Sequence, residues 1–320
     1  MGDPRQEPEP ESVIREPGQV LFTELRGIYL VSDTGGTPVD VTNTRDFYFR
    51  YAEWSPNGDR IAYMARSTDR SDDYALYIMA ADGSDPLKLS DVVQVVRPVF
   101  TWSPDGQRIA FGAGSDIFAV DVDGSDQLEL TVGEIRGVNP HWSPDGEWIV
   151  YQGEADPAAD VSGIARVRPD GSDPELLVEL PWTFDRWPRY SPTSDRIAFS
   201  YDQDLHLVDT EGGAPERITF SPGEGDWWPR WSPDGTTIAF ITDGGAHWTI
   251  GFLDVATSTF LGSVGSMNVD ALYPDWSPDG QRVAFQLGFL SAVLAEAKDG
   301  AEWTKVGRGA HVDWRPGSGS

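Results

Sequence analysis

The chain has 320 residues, no cysteine, and a formal net charge of −28 from 52 acidic and 24 basic residues. This charge argues against nucleic acid or an anionic membrane as the main partner, because both would repel it. The lack of cysteine excludes disulfides, thiolate metal sites and cysteine nucleophiles. No apolar run approaches the roughly 18 residues of a membrane helix, so no membrane span is expected.

The chain opens with a polar, acidic segment rich in proline. We predict that residues 1–17 are a disordered tether, because such a composition cannot bury enough apolar surface to fold. The following stretch, from Gln19 to Thr42, alternates short apolar runs with turn residues and predicts three β-strands.

A ten-residue motif then recurs along the rest of the chain. Its copies are WSPNGDRIAY from Trp54, WSPDGQRIAF from Trp102, WSPDGEWIVY from Trp142, YSPTSDRIAF from Tyr190, WSPDGTTIAF from Trp231 and WSPDGQRVAF from Trp276, and a truncated copy, WRPG, begins at Trp314. We call the first residue of each copy the motif aromatic. Successive motif aromatics are 38 to 48 residues apart, a spacing typical of the four-stranded blades of a β-propeller.

The chemistry within each copy fits such a blade. In Ser-Pro-Asp-Gly, proline presets φ and glycine supplies a positive φ, which is the chemistry of a tight turn between antiparallel strands. A second turn, built on Asp-Gly, follows in most copies, as at Asp123 and Gly124. Each copy therefore predicts four strands joined alternately by uniform turns and variable loops, and the chain is predicted to be all-β.

The two ends of the chain complete the ring. Gln19–Thr42 supplies the last three strands of a blade, and the segment from Ala310 supplies the missing first strand. Pairing them makes a composite blade and gives a seven-bladed propeller over residues 18–317 without exposed edges at the closure. Residues 318–320 are interpreted as a linker or tag remnant, and we expect a monomer.

The W-S-P-D-G-x-x-I-A-F core and the downstream Asp-Gly turn resemble the TolB-like propeller repeats, a WD40-like family of exported bacterial proteins. The resemblance covers about residues 18–317 and implies a periplasmic, cell-surface or secreted location. TolB itself carries a further α/β domain before a six-bladed propeller, and this sequence shows neither feature. Similar repeats occur in prolyl-oligopeptidase-like and tricorn-like proteases, which depend on an attached hydrolase domain.

The sequence offers little evidence for catalysis. A G-x-S-x-G nucleophile elbow is absent, and no two of the four histidines lie at metal-binding spacing. We therefore predict no catalytic residue, no metal and no cofactor.

Two features point instead to binding. The residue immediately before each motif aromatic is polar, inside an otherwise apolar strand; we call these the ring residues, and they are Glu53, Thr101, His141, Arg189, Arg230, Asp275 and Asp313. They are predicted to approach the central channel, where they either solvate it and pair with one another or contact a partner. The second feature is a group of three residues at the predicted entrance of two blades, beside Arg189 and Arg230: Trp182, Trp227 and Arg186. In contrast, Trp187 and Trp228 are predicted to lie in the core.

These observations favour a non-catalytic binding propeller. We expect it to hold a protein segment or peptide through a carboxylate, at the face that carries the variable loops. A glycan or small-molecule binder that uses the Trp-rich entrance is one alternative. A lyase or hydrolase acting at the channel mouth through His141 or His311 is another.

Overall fold

The computed structural model describes residues 18–42, 44–69, 74–91, 100–131, 135–156, 161–181, 186–220, 225–243, 246–266, 268–288 and 291–316. These residues form 28 strands and no helix. The tether predicted for residues 1–17 and the remnant predicted for 318–320 lie outside the described residues.

The strands form seven four-stranded antiparallel sheets, as the repeat predicted. From the channel outward, blade 1 consists of β28 (Ala310–Trp314), β1 (Gln19–Glu24), β2 (Gly27–Ser32) and β3 (Val39–Asp40). Blade 2 consists of β4 (Phe47–Trp54), β5 (Arg60–Ser67), β6 (Ala75–Ala80) and β7 (Leu87–Asp91). Blade 3 consists of β8 (Phe100–Trp102), β9 (Arg108–Ala113), β10 (Asp116–Asp121) and β11 (Leu128–Glu129).

The remaining four blades repeat this order. Blade 4 consists of β12 (Arg136–Trp142), β13 (Ile149–Asp156), β14 (Val161–Val167) and β15 (Glu175–Pro181). Blade 5 consists of β16 (Arg189–Tyr190), β17 (Arg196–Tyr201), β18 (Asp204–Asp209) and β19 (Glu216–Arg217). Blade 6 consists of β20 (Asp226–Trp231), β21 (Thr237–Asp243), β22 (Trp248–Asp254) and β23 (Thr259–Val264). Blade 7 consists of β24 (Ala271–Trp276), β25 (Arg282–Leu287), β26 (Ser291–Glu296) and β27 (Trp303–Gly307).

The composite blade closes the ring, which confirms the predicted pairing of the two ends. β28 pairs antiparallel with β1, with Trp314 opposite Val20 and Val312 opposite Phe22. These side chains are buried, and the Thr23 hydroxyl donates a hydrogen bond of 2.8 Å to the Ala310 carbonyl. The last strand of the chain therefore covers the inner edge of blade 1 and part of its apolar surface.

The uniform turns lie together at one end of the blades, which we call the turn face. In the Ser-Pro-Asp-Gly turn of blade 3, the Ser103 hydroxyl donates to the Asp105 carboxylate at 2.6 Å and accepts the Arg108 N–H at 2.9 Å. The backbone N–H of Val122, at the start of the second turn, donates to the Gln107 carbonyl at 3.0 Å. The opposite end of the blades carries the variable loops and is called the variable face.

The motif aromatics pack at the seams between blades. Trp102 and Trp142 are 7% and 5% exposed. Trp102 packs with Met64 and Ile78 of blade 2, and Trp142 packs with Ala110 of blade 3. Each seam is thus an apolar layer, and burying an aromatic of this size is a main source of stability in such repeats.

Candidate functional site

The ring residues lie at the ends of the inner strands nearest the turn face and interact across the channel. The His141 imidazole is electrostatically coupled to Arg189 and Arg230, and Arg230 in turn is coupled to Asp275. Glu53 is coupled to Arg189, Asp275 and Asp313. Six of the seven ring residues thus lie close enough to act on one another, and the role of the ring in binding stays a prediction.

On one side of the ring, carboxylates connect neighbouring blades. The Asp313 carboxylate of blade 1 accepts the backbone N–H of Trp54 in blade 2 at 2.6 Å. The Asp275 carboxylate of blade 7 accepts the backbone N–H of Trp314 in blade 1 at 3.0 Å. Both seams of the composite blade are thus joined by a ring carboxylate, and we call this part of the channel the carboxylate side.

The two carboxyl groups also share a hydrogen bond with each other. Burial, together with the charges of Asp275 and Glu53, raises the pKa of Asp313 well above its usual range. Burial also raises the pKa of Asp275, although the Arg230 charge opposes this rise. Asp313 therefore keeps its proton as the donor of the pair, and Asp275 carries the negative charge.

On the other side of the ring, two adjacent blades contribute guanidinium groups. Arg189 is only 4% exposed, and its Nη1 donates to the carbonyl of its neighbour Pro188 at 2.9 Å. Arg230 is half-buried. The Nε–H groups of both arginines are buried and meet no acceptor among the described residues. Burial, and then repulsion from Arg230, lowers the pKa of Arg189 to about 9.

His141 borders this pair in blade 4. Its Nδ1 accepts the backbone N–H of Tyr190 in blade 5 at 3.3 Å, so His141 joins a seam as the ring aspartates do. Burial lowers the pKa of His141 well below its usual value, and the charges of Arg189 and Arg230 lower it further. The imidazole is therefore neutral, and we call His141, Arg189 and Arg230 the arginine side.

Above the ring, towards the variable face, the chain is irregular at the third residue before the motif aromatic in six blades; the equivalent residue of blade 3 lies outside the described residues. These bulge residues have positive φ although they are not glycine; those described are Tyr51, Asn139, Trp187, Trp228, Tyr273 and His311. The pairing register of β4, β12, β20 and β24 shifts at the same place. Non-glycine residues in this region cost of order 1 kcal/mol each, and such strain clusters at functional sites.

Five of the bulge residues form a continuous aromatic arc around the mouth of the channel. The ring centroids of Trp187 and Trp228 are 3.8 Å apart, and those of Trp228 and Tyr273 are 4.8 Å apart. The His311 ring follows at 6.3 Å from Tyr273 and 4.9 Å from Tyr51. We call these five residues the aromatic arc. Trp187 and Trp228 are buried, which confirms their predicted place in the core.

A pocket of about 590 Å³ opens on the variable face beside the arc, where blades 7, 1 and 2 meet. Its wall includes Tyr51, Tyr273 and His311 of the arc, with Phe49, Leu272 and Leu25 as apolar surface. The exposed side chains of Arg50 and Arg308 also line it. Because this pocket combines aromatic faces, apolar surface and cationic groups, it suits an amphipathic ligand. We call it the mouth pocket.

The other predicted contact residues lie elsewhere. Arg186 is completely buried in the structure; its guanidinium donates to the Ser162 hydroxyl at 2.9 Å and to the Pro181 carbonyl. Burial lowers the pKa of Arg186 to about 10. Trp227 is half-buried against the core, with its ring 4.5 Å from that of Trp248. Trp182 lies outside the described residues.

Two further ring residues also have defined positions. Thr101 is half-buried on β8, and Glu53 lies 3.7 Å from the His311 imidazole.

No cluster of three or more histidine, aspartate or glutamate side chains suited to a metal ion occurs among the described residues. Within the same part of the chain, no helix is long and apolar enough to cross a membrane.

Sequence reasoning missed the mouth pocket. Its residues come from the two ends of the chain and from blades 2 and 7, so no local pattern unites them. One signal was present, since Tyr51, Trp187, Trp228 and Tyr273 occupy the same position before the motif aromatic. By itself, this shared position predicts core packing, because the residue types do not indicate a positive φ.

The fold and the mouth together define a seven-bladed propeller with a polar channel and a pocket on its variable face. The model of the TolB beta propeller domain matches residues 45–226, and the chain belongs to this family. An uncharacterized protein of Agrobacterium fabrum strain C58 is 31% identical over 179 residues, which are 56% of this chain and 44% of that protein. The chain thus spans less than half the length of this relative.

Three solved structures illustrate the likeness in fold. TolB from Acinetobacter baumannii is 19% identical with a TM-score of 0.60, over 93% of this chain and 82% of that one. A putative TolB from Agrobacterium tumefaciens is 27% identical with a TM-score of 0.53, over 68% and 83%. An oligogalacturonate lyase in complex with manganese is 15% identical with a TM-score of 0.67, over 92% and 86%. Membership of the TolB propeller family supports a binding or scaffold role and an envelope location.

Proposed function

We propose that the protein is a non-catalytic binding propeller that holds a segment of another protein at its variable face. The mouth pocket carries this proposal. It is large enough for several side chains, and it lies beside a channel around which aromatic rings are held in strained backbone conformations. A rigid scaffold that presents such a pocket is typical of recognition sites.

The composition of the mouth pocket suits a peptide that carries both apolar and acidic groups. Tyr51 and Tyr273 offer aromatic faces, and Leu25 is 60% exposed at the rim. Arg50 and Arg308 outnumber the one carboxylate among the described residues of the lining, Glu24, so the pocket is locally positive in a chain whose net charge is −28. Aromatic and arginine side chains are the ones most often found to dominate binding energies in protein interfaces.

The finer part of the proposal concerns the contact with a carboxylate. A chain terminus or an acidic side chain of the partner passes the aromatic arc and reaches Arg189 and Arg230, which can bind it through their guanidinium groups. We further propose that the protein acts as a monomer in the periplasm, at the cell surface or outside the cell.

The test is a selection of random displayed peptides against the purified protein, followed by affinity measurements on the selected peptides. Replacing Tyr51 and Tyr273 together by alanine should weaken binding at least tenfold, because both faces that the apolar side chains contact are removed. The control is Gln107→Ala, an exposed substitution on the turn face, and it should leave the affinity unchanged.

Equal affinities for the double variant and the wild type would reject the mouth pocket as the binding site. A parallel screen of oligosaccharides separates the alternatives. Binding of oligosaccharides without any selected peptide would favour a glycan-binding function over the one proposed here.

A further inference from the structure

The arginine side contains buried hydrogen-bond donors that lack acceptors. The Nε–H groups of Arg189 and Arg230 are buried without a partner among the described residues, and so is the indole N–H of Trp228. Trp228 lies two residues before Arg230 on the same strand, β20. A buried donor without an acceptor is costly, and the cost is larger when the donor is charged.

The positive charges on this side are also unbalanced. Arg189 and Arg230 repel each other, and neither forms an ion pair within the described residues. Asp275 and Glu53 act on them across the channel, but Asp275 is engaged with Asp313 and the Trp314 N–H. His141, the third member of the arginine side, is neutral and accepts the Tyr190 N–H, so it contributes no negative charge.

We propose that the channel between Arg189 and Arg230 is a binding site for one small anionic group. The group is a halide ion in the free protein and a carboxylate when a partner is bound. An anion at this place would accept hydrogen bonds from both guanidinium groups and screen their mutual repulsion. The site deepens the proposed function and rests on it for the identity of the natural ligand.

Solvent access and the cost of desolvation agree with a small monovalent ion. Arg230 and His141 are half-buried although they lie in the channel wall, so solvent reaches this side of the channel. The buried surroundings favour a monovalent group over a strongly hydrated multivalent one, because the cost of removing an ion from water rises steeply with its charge.

The experiment is a thermal denaturation series in increasing sodium chloride and, separately, sodium acetate. Salt screens the overall negative charge of any variant and raises every Tm to a similar extent. Anion binding adds a saturable rise in Tm, which should appear in the wild type and disappear in Arg230→Gln. Arg196→Gln, which removes a half-buried arginine from the turn face of blade 5, is the matched control and should keep the additional rise.

Crystals grown in sodium bromide supply a second measurement, since bromide is located by anomalous scattering. We expect a bromide ion between Arg189 and Arg230 in the wild type and none in Arg230→Gln. The inference is overturned if that place holds no bromide, or if Arg230→Gln keeps the full anion-dependent rise. Should Arg230→Gln fail to fold, Arg189→Gln replaces it in both measurements.

The selected peptides then separate this inference from the proposed function. Peptides with a free carboxylate should compete with chloride, whereas the same peptides with all carboxylates amidated should not. A bound bromide with no peptide binding at the mouth would reject the proposed function and leave the anion site standing. Peptide binding that is indifferent to Arg230→Gln would reject the partner's carboxylate as the occupant of this site and leave the mouth pocket standing.

Discussion

On one side of the channel, Asp275 and Asp313 accept backbone N–H groups of the following blade, whereas on the other side Arg189 and Arg230 present donors that no described acceptor meets. All four residues occupy the same position in the repeat. A guanidinium cannot accept a hydrogen bond, so the arginines cannot make the contact to the next blade that the aspartates make. One position in the repeat thus joins neighbouring blades on the carboxylate side and presents donors without described acceptors on the arginine side.

A second difference accompanies the first. Trp231 and Trp276 are the motif aromatics of the blades that come after those of Arg189 and Arg230. They donate their indole N–H groups to the carbonyls of Arg189 and Arg230, at 3.1 and 2.9 Å. The indole N–H groups of Trp54 and Trp314 meet no acceptor within the described part of the chain. The two seams that follow Arg189 and Arg230 are therefore joined through the backbone carbonyls of these residues and not through their side chains.

The largest expected effect comes from removing the inner strand of the composite blade on the carboxylate side. Deleting residues 310–320 takes away β28, with Asp313, Val312 and Trp314, and leaves the buried strand β1 without its inner partner. We expect the loss of cooperative thermal unfolding and of solubility, because two blades then expose apolar seams and a strand edge. A truncated protein that melts at the parent Tm would contradict closure by the composite blade.

A smaller effect is expected from Asp313→Ala. The substitution leaves the Trp54 N–H without its acceptor, and we expect the free energy of unfolding to fall by about 2–3 kcal/mol in urea denaturation. Arg230→Gln should change it by less than about 1 kcal/mol, because no hydrogen bond of the Arg230 side chain to the described residues is lost. If the free energy of unfolding fell equally in the two variants, the carboxylate side would not differ from the arginine side in its contribution to stability.

The shared proton of Asp313 predicts a dependence of stability on pH. Because the pKa of Asp313 is raised in the folded state, its stabilising contribution is complete below the unfolded value of about 3.9 and is lost as pH rises through the folded pKa. The loss is up to about 1.4 kcal/mol per pH unit over that window. Asp313→Asn keeps both a donor for Asp275 and an acceptor for Trp54 without a titrating proton.

Urea denaturation of both proteins across this pH range checks the prediction. The free energy of unfolding of the wild type should fall relative to that of Asp313→Asn as pH rises. A constant difference between the two proteins would show that Asp313 does not hold the proton.

The smallest expected effect lies on the arginine side. Blade 5 has Ser194, with φ of 58°, where five other copies have a glycine with φ between 66° and 74°. Ser194→Gly should stabilise the protein by about 1 kcal/mol, because a side chain in this region is strained. The gain should appear as slower hydrogen exchange in the blade 5 turn; unchanged exchange there would mean that the turn already tolerates serine.

Much of the fold could be predicted because the repeated turns encode it locally. Ser103, Asp105 and Gly106 specify a tight turn by their own side chains and backbone, and the spacing of the copies specifies blades. The ring residues could be placed because each stands one position before a motif aromatic. Whether a ring residue joins two blades depends on the backbone N–H groups near its side chain. The positions of those N–H groups are known only from the structure, so the residue type alone does not indicate the role.

The candidate site was harder to predict because it depends on contacts between distant segments. Arg186 lies in the connection between blades 4 and 5, and its guanidinium donates to the Ser162 hydroxyl of β14, which the residues around it in sequence do not indicate. The mouth pocket joins Thr23 to Ala310, residues from opposite ends of the chain. Tyr51 and Tyr273 have positive φ because the inner strands bulge there. A sequence predicts such a bulge only where it has a glycine, and these positions have tyrosine.

The most direct test of a binding site at the mouth is hydrogen exchange of the protein with and without a selected peptide. Bound peptide should slow exchange where the inner strands begin and at the loop before β28, over residues 47–51, 272–273 and 308–311, and leave the Ser-Pro-Asp-Gly turns unchanged. Slower exchange confined to those turns would place the partner on the turn face and contradict this account of the protein.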